Sequence, residues 1–440
     1  MIYQALDTTS SDGPVPRTGR GHCPGTNGAR APLGTLDLFG EEFVRDPHPW
    51  LDRLRSESPV HYDPATRLWL VSRYDDVRRV LLDPMVFHPD NALHAVTPLP
   101  VSALRILARA GFSLPAALAN NGSASHPGLR RVVTRFFNAE RVAAAVPVIT
   151  RITEDLLDAA VSEIDATGRC DLFGAFAQVL PCRVLMELLG IGGVDPATLI
   201  RWSDASLELF WGRPGPDRQA ELAENVGEFY QWLTSKVCGG GALSGSFVGE
   251  LARHRLPSGK LLDVATAVAA CFFVFIAGQS TTGQLIATVL RSALADTGLW
   301  EQMPREEGLA EAWVEEVLRR EPPVTTWRRV AACPTELGGV CLPEGAQLLL
   351  MLMGTGSDTN VFPDPDRMRP PQPNIRHHLA FGVGRHRCPG ASLVRTEAAV
   401  ALRSAADRLS GVRLETGTAL QPPMLGLLSF RAPLNVTVIR

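Results

Sequence analysis

The stretch Phe381-Gly382-Val383-Gly384-Arg385-His386-Arg387-Cys388-Pro389-Gly390 decides how this 440-residue chain is read. Three glycines and a phenylalanine surround one cysteine, and a helix is predicted to start just after it at Ala391. Glycine tolerates the positive φ of a tight bulge and lets the backbone approach a bulky planar group. A cysteine presented at a helix N-terminus has its thiolate favoured by the dipole and by free N–H groups. Arg385, His386 and Arg387 add positive charge, which suits carboxylates as well as a thiolate. Pro389, directly after the cysteine, has no N–H to offer the sulfur. Taken alone, a buried inert cysteine after a glycine-rich turn explains the pattern equally well, so the other segments have to agree.

Working outward, the composition is that of an ordinary folded core with a polar surface: 45% hydrophobic, 20% charged, net charge −3. Nothing in that balance calls for nucleic acid as a partner. Eight cysteines are scattered without CxxC spacing, which suits a reducing cytoplasm. The longest apolar candidate, Ala265 to Ile276, is shorter than the roughly 18 residues that span a bilayer. No secretory signal opens the chain. These features predict a soluble, cytoplasmic protein without a membrane anchor.

Residues 1–34, rich in Gly, Pro, Ser, Thr and Arg, read as a disordered leader to a single domain over 35–440. Helices are expected at Pro47–Ser56 and Tyr74–Leu82, with a short strand at Trp69–Ser72. Residues 88–122 form a long apolar segment with a helix from Leu99 to Ala110, and such segments are usually lids or binding loops. His126 and Arg130 are one helical turn apart, two cationic donors on one face. Mainly helical periodicity follows to about 235, broken near Gly168, Gly190–Pro196 and Gly212–Pro216. Residues 263–297 read as one long helix, so apolar that it must be buried. Inside it, Ala277-Gly278-Gln279-Ser280-Thr281-Thr282 places small residues where a flat ligand would lie against the backbone. Glu316 and Arg319 share a face of an amphipathic helix that ends before Pro322. A small β region follows, marked by Gly338-Gly339 and Pro343-Glu344-Gly345. The last segment, Pro422 to Val438, is expected to be a hairpin with Leu425-Gly426-Leu427 as its tip over the substrate.

Phe381, Gly384, Cys388 and Gly390 fit the pattern Phe-x-x-Gly-x-x-x-Cys-x-Gly, and the loop resembles the haem-binding loop of the cytochromes P450. The His126/Arg130 pair, Ala277–Thr282, Glu316/Arg319 and Arg329 occur in that family's order and near its separations. The resemblance implies a mainly α fold with a small β region and haem b held between the long central helix and the Cys-loop helix. It makes Cys388 the axial thiolate, which favours O–O cleavage. It gives His126, Arg130, Arg329 and His386 the propionates, with Arg328 as the alternative to Arg329. Ala277, Phe381 and Gly390 border the cofactor, and Glu316/Arg319 is a structural pair. The family completes that pair with a basic residue, for which Arg369 or Arg376 is the candidate here.

The family reading makes Thr281 a hydrogen-bond donor in a proton relay. An acid usually precedes this threonine, whereas this chain has Gln279 and Ser280. Proton transfer by a positioned group is typically worth about 10²–10⁴-fold. Ser280, Gln279 or a substrate group recruits water in its place, or the reaction does not depend on the relay. By resemblance the chain is a monooxygenase of a small, largely apolar or aromatic specialised metabolite, free or carrier-protein tethered. It would be a monomer fed by a ferredoxin and ferredoxin reductase. Coupling, cyclisation, desaturation or rearrangement without oxygen insertion is the second reading, and a non-catalytic haem-binding module the third.

Overall fold

The computed structural model describes residues 36–239, 245–370, 372–415 and 423–440. The expected leader lies outside these, as do most of the Gly/Ser-rich stretch after Gly239 and Pro422 at the start of the expected hairpin. Eight helices carry the framework: α1 (His126–Phe136), α2 (Ala139–Thr167), α3 (Val179–Leu189), α4 (Pro196–Trp211), α5 (Pro216–Gly239), α6 (Val264–Leu294), α7 (Leu309–Arg320) and α8 (Ala391–Arg408).

Their ends fall where side-chain chemistry stops or starts a helix. Asn138 accepts the Arg141 N–H at 2.8 Å to begin α2, and Gly168, at φ 78°, ends it. Asp263 caps α6 twice, accepting the Thr266 N–H at 2.9 Å and the Thr266 hydroxyl at 2.7 Å. A cap of this kind stabilises a helix by about 1 kcal/mol.

Helix α6 packs against α3, α4, α5 and α8. The helix runs well past the apolar stretch ending near Ile276, to Leu294, and by length and composition it is apolar enough to cross a membrane. Burial among four helices accounts for that composition. A π-helical turn, Phe173–Ala177, lies so close that a Cβ at Gly283 would sit 2.9 Å from the Ala177 carbonyl oxygen.

The β region is built from β1 (Val60–Asp63), β2 (Leu68–Val71), β3 (Phe87–His88), β4 (Trp327–Ala331) and β5 (Gln347–Leu350). They pair in the order β1-β2-β5-β4-β3, with β2 and β5 parallel and the other pairs antiparallel. The C-terminal hairpin is β6 (Met424–Leu427) and β7 (Phe430–Pro433). Its tip is Leu428-Ser429, and not Leu425-Gly426-Leu427 as expected. Gly426 is no turn glycine: it pairs with Arg431, and a Cβ there would meet Val44 at 2.8 Å. The glycine serves close packing within a strand.

One buried acid runs against the rest of the core. Glu397 on α8 is sealed from solvent with its Oε1 unpartnered, and burial pushes its pKa up to about 8. The folded chain therefore keeps a proton that the unfolded chain releases above its ordinary carboxylate pKa. Stability must fall as pH rises from about 4.5 to 8. Glu397→Gln is expected to flatten that dependence and to stabilise the fold at pH 8 by about 1–3 kcal/mol. Denaturant titrations of both proteins at pH 5 and pH 8 check it; a parallel pair of curves excludes it.

Candidate active site

A cavity with about 1500 Å³ of free space, its mouth included, lies between α6 and the loop before α8. The cysteine loop forms one wall. Gly382 and Gly384 take φ of 61° and 74°, the left-handed region where a Cβ is strained. The Cys388 N–H donates to the Phe381 carbonyl at 2.8 Å, which closes the loop. Gly390 caps α8, and its N–H points at the Cys388 sulfur.

Cys388 is the cysteine that lines this cavity among the described residues. Burial pushes its thiol pKa up, while the Gly390 N–H, Arg130, Arg395 and Arg387 pull it down. The opposite wall is α6, which presents Phe273, Ala277 and Thr281. The Thr281 hydroxyl donates back to the Ala277 carbonyl.

His126, Arg130, Arg329 and His386 form the polar rim, with Phe381 and Gly390 in the same wall as Cys388. The pleat of β4 separates its arginines: Trp327 and Arg329 face the cavity, while Arg328 donates to the His94 carbonyl. Arg329 is therefore the rim arginine of the two. It is buried with the Arg328 carbonyl as acceptor at 2.8 Å and, among the described residues, no carboxylate partner. Burial lowers its pKa to about 10, so it stays charged.

His126 is not the cation that the His-x-x-x-Arg spacing suggests. Burial, with Arg385 and Arg130 alongside, pushes its pKa down to about 4. Arg385 Nε donates to His126 Nδ1 at 3.2 Å, which leaves the imidazole proton on Nε2 as a neutral donor. His386 packs 4.5 Å from it, centroid to centroid, and its buried Nε2 has no partner. A rim of arginines and an orphaned imidazole nitrogen, with no acid among them, is a site for a ligand's carboxylates.

The segment that leads into the loop is held from behind. Arg319 and Glu316 form a fully buried pair at 2.8 Å, and Arg319 also donates to the carbonyls of Gly356 at 2.5 Å and Pro365 at 2.9 Å. The third partner is neither Arg369 nor Arg376. Gln372 Nε2 donates to Glu316 Oε1 at 3.0 Å, and Arg376 lies 3.7 Å from the neighbouring Glu315. Because Arg319 already neutralises Glu316, a neutral amide completes the site without a second buried cation.

Glu315 anchors a cluster that sequence reading missed: Arg395 from α8 and His378 at 3.1 Å both bind it. Burial alone would raise the Glu315 pKa, but those two partners hold it at about 2. Arg395 also lies over the Phe381 ring at 4.5 Å, which ties the cluster to the loop.

Ser280 and Gln279 do not face this cavity. Successive residues turn 100° around a helix, so with Thr281 facing inward they point to α4. There the Ser280 hydroxyl lies 3.3 Å from Asp204, and Gln279 accepts from Ser203 at 3.3 Å. Leu425, Gly426 and Leu427 also line a neighbouring cavity and not this one. From the lid segment, Leu118 and Ala119 reach the wall.

A cysteine at a helix N-terminus, a roomy cavity between α6 and its loop, and a rim of arginines without an acid suit a thiolate-ligated porphyrin. The family model "Cytochrome P450" matches residues 300–410. The chain is 32% identical over 395 residues to cytochrome P450 monooxygenase PikC of Streptomyces venezuelae, covering 88% of this chain and 89% of that one. It is 29% identical to cytochrome P450 107B1 of Saccharopolyspora erythraea, over 86% of this chain and 91% of that one. The structure of cytochrome P450 CREJ in complex with (4-ethylphenyl) dihydrogen phosphate superposes with a TM-score of 0.86 at 26% identity, covering 93% of this chain and all of that one. This chain belongs to the cytochrome P450 family. It is a haem-thiolate monooxygenase that takes haem b, acts on a small molecule and draws electrons from a redox partner.

Proposed function

We propose that Cys388 is the haem ligand and that the enzyme oxidises a small, largely apolar or aromatic specialised metabolite. The observation that carries the substrate class is the character of the cavity. Trp211, Phe273, Ile276, Val324 and Trp327 line it, and its charged groups are confined to the rim. The similar structure with (4-ethylphenyl) dihydrogen phosphate holds a small aromatic compound, which supports the same class.

When bound, the haem supplies the activation of O2. The residues of the chain do the rest. Cys388 holds the iron; Arg130, Arg329, His126 and His386 bind the propionates; Ala277 leaves room for the ring. Thr281 holds a hydroxyl at the inner face of α6, and Glu316 and Arg319 fix the loop without touching substrate. A ferredoxin with its reductase supplies the electrons, and the enzyme works as a cytoplasmic monomer.

A panel of apolar, aromatic and charged compounds titrated against the haem-loaded protein tests this. Apolar and aromatic compounds are expected to shift the Soret band, and a response confined to charged polar compounds overturns the reading. Ser280, at a place where the family resemblance leads one to expect an acid, favours a second reading in which the substrate is coupled or desaturated. Product mass separates the two: oxygen insertion adds one oxygen atom from O2, whereas desaturation removes two hydrogens.

A further inference from the structure

Helix α6 borders two cavities. Ala277 and Thr281 line the one with Cys388, while Ser280, Gly283 and Gln284 line a second of about 1300 Å³, mouth included. Leu207 is the one residue that lines both. The outer cavity is large enough to hold a ligand of its own. Phe173, Ile200, Leu207, Leu425 and Leu427 give it an apolar wall. In the same lining the Arg213 guanidinium lies over the Phe39 ring at 4.3 Å.

The charges of this lining are matched, with one exception. Glu208 pairs with Arg218 at 2.8 and 3.0 Å, and Arg213 with Asp37 at 3.2 Å. Asp204 has no basic partner among the described residues. Each of its oxygens accepts one neutral hydrogen bond, from the Ser280 hydroxyl at 3.3 Å and from Gln178 Nε2 at 3.3 Å. A carboxylate has about four acceptor positions, so about two stay open. Burial, with Glu208 adding repulsion, pushes its pKa up to about 6 against the pull of those two donors. At neutral pH the group is therefore still mostly ionised, and a charge in such a place calls for a partner.

A second observation comes from Gln284. It stands one turn from Ser280 on the same face of α6 and lines the same cavity. The side chain is buried, and its Oε1 has no partner. A buried acceptor without a donor carries a desolvation cost that a ligand N–H removes. The open carboxylate is bonded to Ser280, and the orphaned amide lies one turn beyond it. Together they suit one positively charged group with several N–H donors.

We propose that the outer cavity is a second ligand site, separate from the one with Cys388, for an organic cation with several N–H donors on an apolar body. The cation pairs with Asp204, a further N–H reaches the Gln284 side chain, and the apolar body lies along Phe173, Ile200 and Leu425. A guanidinium suits the place best. Its planar fork meets a carboxylate with two parallel N–H bonds and keeps other donors free. Because Leu207 is the one shared residue, both cavities can be filled at once. The site goes beyond the monooxygenase reading and uses no step of it.

The probe is 4-phenylbutylguanidine, and the control is 4-phenylbutylurea, its uncharged counterpart of nearly the same shape. Calorimetry uses the haem-loaded full chain with 4-phenylimidazole already on the iron, so that the cavity with Cys388 is filled. The guanidine is expected to bind with one equivalent, and the urea at least about 30-fold more weakly. Asp204→Asn keeps the shape of the side chain and should weaken the guanidine by that factor while leaving the urea unchanged. Gln284→Leu should weaken the guanidine about 10-fold. The Soret shift given by 4-phenylimidazole should be the same in all three proteins, which is the control for folding. No heat of binding up to about 1 mM guanidine, equal affinities for the two probes, or an unchanged affinity in Asp204→Asn overturns the proposal. So does guanidine binding that disappears once the iron carries 4-phenylimidazole, since the probe then sits in the other cavity. If 4-phenylimidazole shifts no Soret band, the haem reading fails instead, and the comparison of wild type with Asp204→Asn still decides the outer site.

Discussion

Arg319→Ala is expected to lose about 3–5 kcal/mol of stability, a large part of what holds a domain of this kind together. The side chain is entirely buried and ends in several acceptors at once: both Glu316 oxygens and the carbonyls of Gly356 and Pro365. Truncation leaves the Glu316 carboxylate buried with a neutral amide, Gln372, as its remaining donor. It also strips two carbonyls of their donor in a place that water reaches poorly. Arg319→Lys does not rescue, because one ammonium cannot span the fork that the guanidinium fills.

The backbone allows no compensation. A Cβ at Gly356 would sit 1.8 Å from the Arg319 carbonyl oxygen, so the two segments touch with nothing between them. Chemical denaturation of Arg319→Ala beside Glu316→Gln measures the effect, the second variant being expected to cost less because the Arg319 guanidinium, though it loses its carboxylate, keeps the Gly356 and Pro365 carbonyls as acceptors. Equal small losses in both would mean that the pair is dispensable.

What was legible in the chain was short-ranged. Helix α6 announced itself by apolar length, the Tyr74–Leu82 helix appeared as expected, and Glu316/Arg319 needed only an i,i+3 spacing. Of the cavity's rim only His386 sits in the cysteine loop; His126, Arg130 and Arg329 come from α1 and β4 and were named by the family resemblance, not by any local pattern.

Contacts made across long stretches were not legible. Gln372 reaches Glu316 over 56 residues, Arg395 reaches Glu315 over 80, and Asp204 meets Ser280 over 76. No local period encodes such meetings, since each depends on where two helices cross. The basic residue sought for Glu316 was looked for by type, and a neutral amide fills the place because the charge is already balanced. The hairpin tip was misplaced for the converse reason: Gly426 read as a turn, when the space denied by Val44 is what demands it.

Cys388→Ser, loaded with haem, reduced and exposed to carbon monoxide, is expected to lose the absorption band specific to thiolate ligation, and oxygen-dependent turnover should fall to background. The alternatives within the chain are poor. Cys170, Cys182 and Cys271 are buried away from the cavity, their thiols pushed up by burial with no cation to stabilise the thiolate. Cys238 and Cys333 are exposed on the surface. Cys388 alone among the thiols described faces the cavity with Arg130, Arg387 and Arg395 around it and the Gly390 N–H aimed at its sulfur. Pro389 contributes no N–H, so the sulfur has one donor fewer to draw off its charge. Cys333→Ser is the control, expected to keep band and turnover, and circular dichroism verifies that both variants fold. A thiolate band retained by folded Cys388→Ser would place the iron on another sulfur, and every contact assigned around position 388 would have to be assigned again.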